Sequence, residues 1–363
     1  MTDSVIRVAL DVTPLLGPPT GVHQTTAGLL GALGRRDDVA VSGYVLSFRG
    51  RMPEAEFGEL PVVSRRWPAR LAHRMWRYVG IPPGRWMAGS QDVIHGTNYT
   101  APPARTGRVV TVQDLTLVTH PKWCTRDVRR MFGPLKNVVR VGGHVHVTSR
   151  ASAAEAVTHL GVSEDHLHVI PVAISPIGSG DADRGRALVG AERYVLALGT
   201  TEPRKGLAVL PPALAGIDRD VTLVVVGPSG SAESELDTAV TAAGVRDRYR
   251  RIGAVSNAVR SDLVRGAAAL VYPSLAEGFG LPPLEALTVG CPVVATSVGA
   301  LPELIGDHVE LVPPDDLDAF TDQLRAVLDR PPPMVDELVE RLSAMTWERA
   351  ADEMVSVYRL AAD

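Results

Sequence analysis

Two glutamates eight residues apart stand in the stretch of the sequence with the clearest chemical potential. Residues 272–287 read YPSLAEGFGLPPLEAL and contain Glu277 and Glu285. Glycines allow the backbone to approach a ligand closely, and the unpaired amides at the start of a helix favour anions. A carboxylate placed there can accept hydrogen bonds from two sugar hydroxyls. The alternative is an ordinary surface turn that leads into a helix with a glutamate in its first turn.

A basic pair follows a predicted strand earlier in the same half of the chain. Residues 198–207 read LGTTEPRKGL, which places Arg204 and Lys205 just beyond the strand predicted over residues 194–198. The guanidinium group offers a planar fork of donors and the ammonium group a compact charge, so together they suit the oxygens of a diphosphate. A solvated basic turn is the alternative.

Polar residues and glycines also follow predicted strands in the first half of the chain. Gly17 and Gly21 stand in the loop LLGPPTGV, where their amides could meet an anion, although the spacing is not that of a dinucleotide-binding fingerprint. His95, Gln113 and Asp114 stand at or after the ends of two further strands, so we expect them at the same edge of the sheet. A structural histidine and a turn-forming aspartate are the alternatives.

Two Asp-x-Asp pairs raise the question of a metal site. A metal-binding pair of this kind would end a hydrophobic strand. Asp181 and Asp183 instead stand in a loop rich in glycine and serine, and Asp316 and Asp318 stand near a predicted helix start. Aspartates in such places cap helices or form turns. We therefore predict caps or turns here, and no metal site.

Short β-branched runs alternate with helix-like stretches along the whole chain. Near-continuous apolar strands of this kind indicate parallel sheets covered by helices on both faces, with ligands at the carboxyl ends of the strands. The rhythm breaks near residue 173, which predicts an α/β protein of two doubly wound, Rossmann-like domains, 1–172 and 173–346, with a final helix over 347–361. Strands are predicted over residues 5–12, 39–46, 93–95, 109–112, 144–148, 194–198, 221–226, 249–252, 269–272, 293–295 and 310–312.

The composition narrows the class of protein. The chain has 363 residues, of which 45% are hydrophobic and 21% charged, an ordinary globular mix. Its two cysteines are far apart, which excludes a disulfide framework and fits a reducing compartment. The N-terminus lacks a signal-peptide pattern, and no apolar run reaches the roughly 20 residues that span a bilayer. These features predict a soluble, cytoplasmic protein.

The net charge of −4 conceals an asymmetry between the two halves of the chain. Residues 1–172 carry 20 Lys and Arg against 13 Asp and Glu, whereas residues 173–363 carry 17 against 28. The basic first half suits an anionic or phosphorylated partner, with drift in surface charge as the alternative. The acidic second half disfavours nucleic acid as a partner.

Six arginines alternate with aromatic residues in the segment 64–86, which reads SRRWPARLAHRMWRYVGIPPGRW. A basic, aromatic, partly helical segment suits the anionic head groups of lipids, which predicts a peripheral contact with the inner face of the membrane. The alternative is a helix that packs Leu71, Met75 and Tyr78 inward and exposes a solvated basic face.

Together these stretches resemble the family-4 glycosyltransferases, a retaining group of GT-B architecture that includes many bacterial mannosyltransferases. The resemblance runs in order along nearly the whole chain. It implies two Rossmann-like domains that face a cleft, with the helix of residues 347–363 completing the N-terminal domain. The motifs that carry it are residues 17–22, HGTN at 95–98, EPRK at 202–205, RIGAV at 251–255, the block 277–285 and Trp347.

The resemblance also implies a role for each candidate residue. Glu277 and the backbone of residues 278–280 would hold the donor sugar, and Glu285 would hold the ribose. Arg204 and Lys205 would bind the diphosphate, and Val255 would lie at the wall of the nucleobase site. The implied catalytic residues are Arg204, Lys205 and Glu277; the implied donor-binding residues are Gly21, Thr200, Val255, Gly278, Phe279, Gly280, Leu281 and Glu285; and the implied residues on the acceptor or sugar side are His95, Gln113 and Asp114.

The implied function is that of a metal-independent retaining hexosyltransferase without a cofactor. It would move a hexose from a nucleotide-diphosphate sugar to a glycan or lipid-linked acceptor, with GDP-mannose as the first donor and UDP- or dTDP-hexoses next. The family usually carries His-Asp where this chain has Gln113-Asp114, and glutamine can hydrogen-bond but cannot titrate. A non-catalytic sugar-nucleotide-binding protein and a sugar-nucleotide epimerase of the same architecture are the alternatives.

Overall fold

The computed structural model describes residues 5–17, 20–47, 60–218, 220–333 and 335–363. The chain divides into two compact units, which we call the N-terminal and the C-terminal domain. The first comprises Met1–Ala173 together with Met345–Asp363, and the second comprises Ile174–Ala344. None of the helices in the described ranges is both long and apolar enough to cross a bilayer.

A parallel β-sheet forms the centre of the N-terminal domain. Its strands are β1 (Ile6–Asp11), β2 (Val39–Ser47), β3 (Val62–Arg66), β4 (Val93–Gly96), β5 (Gly107–Val112), β6 (His144–Val147) and β7 (Leu167–Val169). They lie in the order β3-β2-β1-β4-β5-β6-β7, and all adjacent pairs are parallel. Val8, Leu10 and Val45 are fully buried, as expected for a sheet that helices cover on both faces.

The helices of the N-terminal domain mostly connect successive strands. Thr20 and Ser149 cap the first and the seventh, because each side chain accepts a hydrogen bond from an amide of the first turn. Pro18 and Pro19, in the loop before the first helix, lie outside the described residues. The helices are α1 (Gly21–Leu33), α2 (Ala69–Tyr78), α3 (Gly84–Ala88), α4 (Thr116–Thr119), α5 (Arg126–Arg130), α6 (Phe132–Arg140) and α7 (Arg150–Leu160), with 3-10 turns at Thr13–Leu16, Pro121–Trp123 and Glu164–His166.

The C-terminal domain repeats this architecture with a second parallel sheet. Its strands are β8 (Arg193–Leu198), β9 (Val221–Val226), β10 (Tyr249–Ile252), β11 (Ala269–Tyr272), β12 (Val293–Thr296) and β13 (Leu311–Val312). They lie in the order β10-β9-β8-β11-β12-β13. Every residue of β9 and β11 is buried, because the central strands of a doubly wound sheet have helices on both sides. The crossover at β8 and β11 places the ends of these two strands side by side.

Aspartates begin two helices of the C-terminal domain. Asp181 accepts hydrogen bonds from the amides of Asp183 and Arg184, and Asp316 accepts one from the amide of Ala319. Both Asp-x-Asp pairs therefore belong to helix caps, as predicted. The helices are α8 (Ala182–Val189), α9 (Leu210–Ala215), α10 (Glu233–Ala242), α11 (Asn257–Gly266), α12 (Leu281–Leu287), α13 (Leu301–Ile305), α14 (Leu317–Asp329) and α15 (Asp336–Ser343), with 3-10 turns at Pro203–Lys205, Leu207–Val209 and Arg246–Arg248.

The final helix, α16 (Trp347–Ala362), packs on the N-terminal domain. Its buried residues Met354, Val355 and Tyr358 join the same apolar cluster as α1 and β1. Thr346 caps it by accepting a hydrogen bond from the amide of Arg349. The chain thus returns to the first domain after it has completed the second.

The structure confirms the predicted fold class of two parallel-sheet α/β domains, and it adds two strands. The short edge strands β3 and β7 were not predicted, because five or three residues with few apolar side chains give little periodic signal. The alternative for α2, in which Leu71, Met75 and Tyr78 pack inward, is wrong for two of these residues. Leu71 and Tyr78 are 45% and 70% exposed, whereas Ala72 and Trp76 on a neighbouring face are buried.

The contact of α1 with α16 generates a stability prediction. A Cβ atom on Gly28 would overlap the indole ring of Trp347, whereas a Cβ on Gly31, one turn further along α1, would make only an ordinary contact 3.7 Å from Arg35 Nη1. We expect Gly28→Ala to lower the free energy of unfolding by about 1–3 kcal/mol, because Trp347 must shift. Urea unfolding followed by tryptophan fluorescence measures the change.

The matched control for this prediction is Gly31→Ala. This change should raise the free energy of unfolding by up to about 1 kcal/mol, because alanine favours a helix over glycine. Equal stabilisation by both changes would contradict the close packing of Trp347 on α1.

Candidate active site

The carboxyl edge of the C-terminal sheet brings together the loops that follow β8, β9 and β11. A Cβ atom on Gly227 would overlap the backbone of Gly199, and both glycines have φ near +140°, namely 141° and 142°. Only glycine adopts this conformation readily and has no Cβ atom to clash, so the loops after β8 and β9 can pass this close to each other. The loops after β8 and β11 meet through a hydrogen bond of 2.8 Å from the amide of Leu275 to the carbonyl of Arg204. The basic pair therefore lies beside the glutamate loop.

The carboxylate of Glu277 is the centre of a buried ionic cluster. Lys205 Nζ lies 2.6 Å from its Oε1, and Arg204 Nη1 lies 2.8 Å from its Oε2. The Ser274 hydroxyl donates to Oε1 at 2.9 Å, and Lys205 also donates to the Tyr272 hydroxyl at 2.9 Å. The structure therefore brings the three predicted catalytic residues together and pairs each of the two cations with Glu277.

Burial and charge act in opposite directions on this cluster. The side chains of Glu277 and Lys205 are only 8% and 11% exposed. Burial alone would raise the pKa of Glu277, but Lys205 and Arg204 outweigh it and lower that pKa to about 2. The carboxylate is therefore ionised at physiological pH. Two cations share this buried carboxylate, and Arg204 also pairs with the half-exposed Glu202 at the rim, so two cations face two carboxylates.

The remaining predicted donor-binding residues of this domain lie along the same edge. Gly280 has a φ of +96° and immediately precedes α12, whose first turn contains two prolines, as predicted. Phe279 is buried, and Leu281 is half-buried. Thr200, in the loop after β8, and Val255, in the loop between β10 and α11, are also half-buried. Each of them thus lies in a loop that follows a strand or at the start of the next helix, on the side of the sheet where ligands of such sheets bind.

Glu285, the second glutamate of the pair, points from α12 towards α11. It is 3% exposed and forms an ion pair with Arg260. Burial raises the pKa of Glu285, and Arg260 opposes that rise. Arg260 was not predicted, because a lone arginine in a helix 25 residues away carries no visible signal in the sequence.

A second cluster of polar residues, which was not predicted from the sequence, connects the segments at this edge of the sheet. Arg251 Nε donates to Glu233 Oε1 at 2.8 Å, and the Thr201 hydroxyl donates to Glu233 Oε2 at 2.5 Å. The amide of Gly230 in turn donates to the Thr201 hydroxyl at 2.6 Å. Hydrogen bonding to Arg251 is the main cause that lowers the pKa of Glu233 to about 2. The cluster joins the loop after β8 to the start of α10 and to strand β10.

In the N-terminal domain, Gln113 and Asp114 follow the end of β5. The Asp114 carboxylate accepts hydrogen bonds from the Tyr99 hydroxyl at 2.8 Å and from the Thr116 amide at 2.9 Å. Gln113 Nε2 and the Thr26 hydroxyl are buried without a hydrogen-bond partner. Both residues line a cavity of about 10 Å³, which has room for about one water molecule. Asp114 is thus held as a turn former, and Gln113 has donor capacity left.

His95 differs from the other predicted site residues because it is fully buried. Its Nδ1 lies 2.7 Å from the Tyr358 hydroxyl, and its Nε2 lies 2.7 Å from the Thr111 hydroxyl. Thr111 also contacts His146 Nδ1 at 2.9 Å, and His146 Nε2 contacts the carbonyl of Ile170 at 2.9 Å. His95 therefore belongs to the polar interior of the domain and not to a surface that meets an acceptor.

The position of each proton in this chain of hydrogen bonds follows from its last acceptor, the carbonyl of Ile170. The carbonyl of Ile170 can only accept, so neutral His146 donates from Nε2 and accepts at Nδ1 from the Thr111 hydroxyl. Thr111 then accepts from His95 Nε2, and His95 Nδ1 accepts from the Tyr358 hydroxyl. Burial lowers the pKa of His95 to about 3 and that of His146 to about 4, so both rings are neutral.

Gly21, the other predicted donor-binding residue of this domain, is the first residue of α1 and is exposed. A Cβ atom added to it would meet no heavy atom within 4 Å. Among the described residues, no group of histidine, cysteine, aspartate and glutamate is arranged to hold a metal ion.

The two parallel-sheet domains have the GT-B architecture of glycosyltransferases. The fold matches that of sucrose-phosphate synthase from Thermosynechococcus elongatus with a TM-score of 0.73 and 21% sequence identity, over 98% of both chains. Residues 181–345 match the family described as glycosyl transferases group 1. The chain therefore carries a group 1 glycosyltransferase domain, which holds Glu277, Glu285 and the basic pair.

Curated relatives support the same family. The chain is 32% identical over 256 residues to the MMP alpha-(1->4)-mannosyltransferase of Mycolicibacterium hassiacum, which covers 66% of this chain and 60% of that protein. It is 25% identical to the O-antigen chain mannosyltransferase B of Escherichia coli over 98% of this chain and 100% of that protein. The chain thus spans the whole of one relative and about three fifths of the other.

The neutral interior histidines generate a prediction of pH dependence. The unfolded chain binds protons at these rings below about pH 6.5, whereas the folded domain does so only near pH 4 and pH 3. The free energy of unfolding should therefore fall as the pH drops below 6.5, by up to about 1.4 kcal/mol per pH unit for each ring. Urea unfolding at pH 7.5, 6.5 and 5.5 measures the slope.

The comparison that isolates this effect uses His146→Gln against the exposed His120→Gln. The first change should make the pH dependence shallower, and the second should leave it unaltered. Asp11, whose pKa burial raises to about 6, acts in the opposite direction but equally in all three proteins. An unaltered slope in His146→Gln would contradict a neutral buried ring.

Proposed function

We propose that this chain is a retaining hexosyltransferase of glycosyltransferase family 4. It transfers a hexose, with mannose as the first candidate, from a nucleotide-diphosphate sugar to a glycan or lipid-linked acceptor. GDP is the first candidate for the nucleotide. The names of the two mannosyltransferases that resemble the chain support the choice of sugar.

The observation that carries the proposal is the pairing of Glu277 with Lys205 and Arg204. A buried carboxylate fixes two cations at the end of a parallel sheet, beside the buried residues Gly278 and Gly280. Fixed cations suit a diphosphate, and the neighbouring glycine backbone can approach a sugar closely. A simple surface turn would not bury a carboxylate together with a lysine and hold a half-buried arginine on the same carboxylate.

The proposed chemistry breaks the bond between the anomeric carbon and the donor phosphate oxygen. Negative charge then builds on the leaving diphosphate, where Arg204 and Lys205 stabilise it more in the transition state than in the ground state. The acceptor oxygen bonds to the anomeric carbon on the same face, and its proton passes to an oxygen of the leaving phosphate. Glu277 keeps both cations in place, and the two cations in turn keep its carboxylate ionised.

The rest of the donor meets the same edge of the sheet. Glu277 and the backbone of residues 278–280 hold the sugar, Glu285 accepts the ribose hydroxyls, and Val255 borders the nucleobase. We propose that no metal is required, because two side-chain cations supply the charge that a diphosphate needs. Gln113, with an unpartnered buried amide nitrogen, is the candidate on the sugar side.

We further propose that α2 and the segment after it bring the protein to an anionic membrane. A groove of about 730 Å³ lies between α2 and α5, and its lining includes Arg70, Arg74, Arg77 and Tyr78 from α2 and Asp127 and Arg130 from α5. Leu71, Val79 and Trp86 are also 40% exposed or more. Exposed apolar and aromatic groups beside several arginines are typical of a surface that binds lipid head groups.

Two rival functions are distinguished by turnover. A non-catalytic protein would bind the sugar nucleotide without hydrolysing it or transferring the sugar. An epimerase would change the configuration of the sugar without needing an acceptor. The two cations held by Glu277 suit a departing diphosphate, which favours turnover over binding alone, and the product distinguishes transfer from epimerisation.

The first test is a thermal-shift screen of GDP, UDP, ADP and dTDP and their hexose conjugates, with EDTA present. A ligand at about 100 times its dissociation constant adds roughly 2.7 kcal/mol to the stability, which is a readable shift. We expect one nucleotide to stand out, and its hexose conjugate to be hydrolysed or transferred slowly without metal. The absence of any shift would overturn the proposed donor site.

Arg204→Ala tests the role of the cluster with the donor that the screen identifies. We expect kcat to fall about 10²–10³-fold, because one fixed donor to the leaving group is lost. The control is Arg193→Ala, which removes a partly exposed ion pair with Asp220 in the same domain and should keep full turnover. Full turnover by Arg204→Ala would sink the mechanism.

Vesicle binding tests the membrane contact. The wild-type protein should sediment with phosphatidylglycerol vesicles but not with phosphatidylcholine vesicles, and less so at high salt. Replacing Arg74 and Arg77 by glutamate should abolish sedimentation. The matched control replaces Arg325 and Arg349, two exposed arginines elsewhere in the chain, in the same way. A wild-type protein that binds neither vesicle would overturn this contact.

A further inference from the structure

Arg260 forms an ion pair with Glu285, the residue proposed to accept the ribose hydroxyls. We propose that Arg260 is a positioning residue that holds the Glu285 carboxylate ionised and aimed for the hydroxyls of the donor ribose, and thereby sets the preference for a ribonucleotide over a 2′-deoxyribonucleotide. The inference rests on the proposed function, because it takes Glu285 as the ribose acceptor.

The two residues come from neighbouring elements with defined starts. Arg260 lies in the first turns of α11, which Ser256 caps by accepting a hydrogen bond from the amide of Val259. Glu285 lies in α12, directly after the glutamate loop that begins at Glu277. Arg260 Nη2 bonds to Oε2 of Glu285, which leaves Oε1 for a ligand. The pair therefore orients the carboxylate before any nucleotide arrives.

The charge state of Glu285 depends on a single cation. Its side chain is 3% exposed, and burial favours the protonated form. Glu277 is held by two cations and a serine hydroxyl, whereas Arg260 is the charged group that acts on Glu285 among the described residues. Removal of Arg260 leaves a buried carboxylate without a counter-charge, so its pKa must rise further.

The protonation state matters because of the ligand that it faces. An ionised carboxylate accepts hydrogen bonds from both the 2′ and the 3′ hydroxyl of a ribose, and such charge-assisted bonds are the stronger ones. A protonated carboxyl group must donate one of its hydrogen bonds and accepts less well. Arg260 thus determines whether loss of the 2′ hydroxyl weakens the binding of the nucleotide.

Arg260 is partly accessible as well as paired. Its side chain is 23% exposed, and it lies five residues after Val255, the proposed border of the nucleobase site. Asp262, two residues further along the same helix, is occupied by Arg184 and by the amide of Asp181. The acidic neighbour therefore has its own partners, and Arg260 is directed to Glu285.

The experiment measures dissociation constants for GDP against 2′-deoxy-GDP and for UDP against 2′-deoxy-UDP, between pH 6 and pH 9. We expect the wild-type protein to bind the ribonucleotide of its preferred base about tenfold more tightly than the deoxy form at every pH. In Arg260→Leu this ratio should fall to about twofold or less at low pH. It should recover as the pH rises, because Glu285 then ionises.

Three variants separate positioning from a structural role. Arg260→Lys keeps the charge and should retain most of the ratio, which also serves as the readout if Arg260→Leu does not fold. Glu285→Gln should lose the ratio at every pH, and adding Arg260→Leu to it should change nothing further. The matched control Arg184→Leu removes the neighbouring exposed pair and should leave the ratio intact.

The outcomes distinguish this inference from the function on which it rests. A wild-type protein that binds none of these four nucleotides, and neither ADP nor dTDP in the thermal-shift screen, overturns the proposed function and the role of Arg260 with it. A wild-type protein that prefers dTDP, whose sugar is a 2′-deoxyribose, overturns the role of Arg260 alone. Wild-type discrimination that persists in a folded Arg260→Leu across the pH range overturns the role of Arg260 alone. A loss of discrimination in Arg260→Leu that does not recover with rising pH also overturns it.

Discussion

The burial of the Glu277 carboxylate constrains how the loops of the C-terminal domain are arranged. An ionised group with 8% of its side chain exposed is tolerated only when partners satisfy both of its oxygens. Lys205 and Arg204 do so from another loop, 72 and 73 residues away. The loops after β8 and β11 must therefore meet, and the sheet must place their strands side by side. The cost of burying the charges is offset only if that geometry is kept.

Several features of the domain serve this meeting of loops. A Cβ atom on Gly206 would overlap the carbonyl of Pro273, so the basic turn can approach the glutamate loop only with glycine there. The group of Thr201, Glu233 and Arg251 fastens the neighbouring loops to the sheet. Fixed dipoles and charges of this kind need little reorganisation when a charged ligand arrives, which is the condition for electrostatic catalysis.

The N-terminal domain uses buried polar groups for a different purpose. His95, Thr111, His146 and Tyr358 form a single chain of hydrogen bonds that ends on a backbone carbonyl. Each member has one permitted proton position, so the chain ties α16 to the sheet in one arrangement. Titratable side chains near strand ends thus have structural roles in the N-terminal domain. In the C-terminal domain, such side chains form the candidate active site.

The amino-acid sequence by itself determined the fold class, most strands, the two aspartate caps and the membership of Glu277, Glu285, Arg204 and Lys205 in one region. These features are local or periodic: β-branched runs, glycines and prolines leave their signal within a few residues. The tertiary structure alone decided which charges pair, that His95 is interior, that Leu71 and Tyr78 face outward, and that Arg260 pairs with Glu285 and Glu233 with Arg251. The pairing of charges depends on which strands become neighbours in the sheet. Strands far apart in sequence can become neighbours through a crossover, and no spacing along the chain shows which ones do.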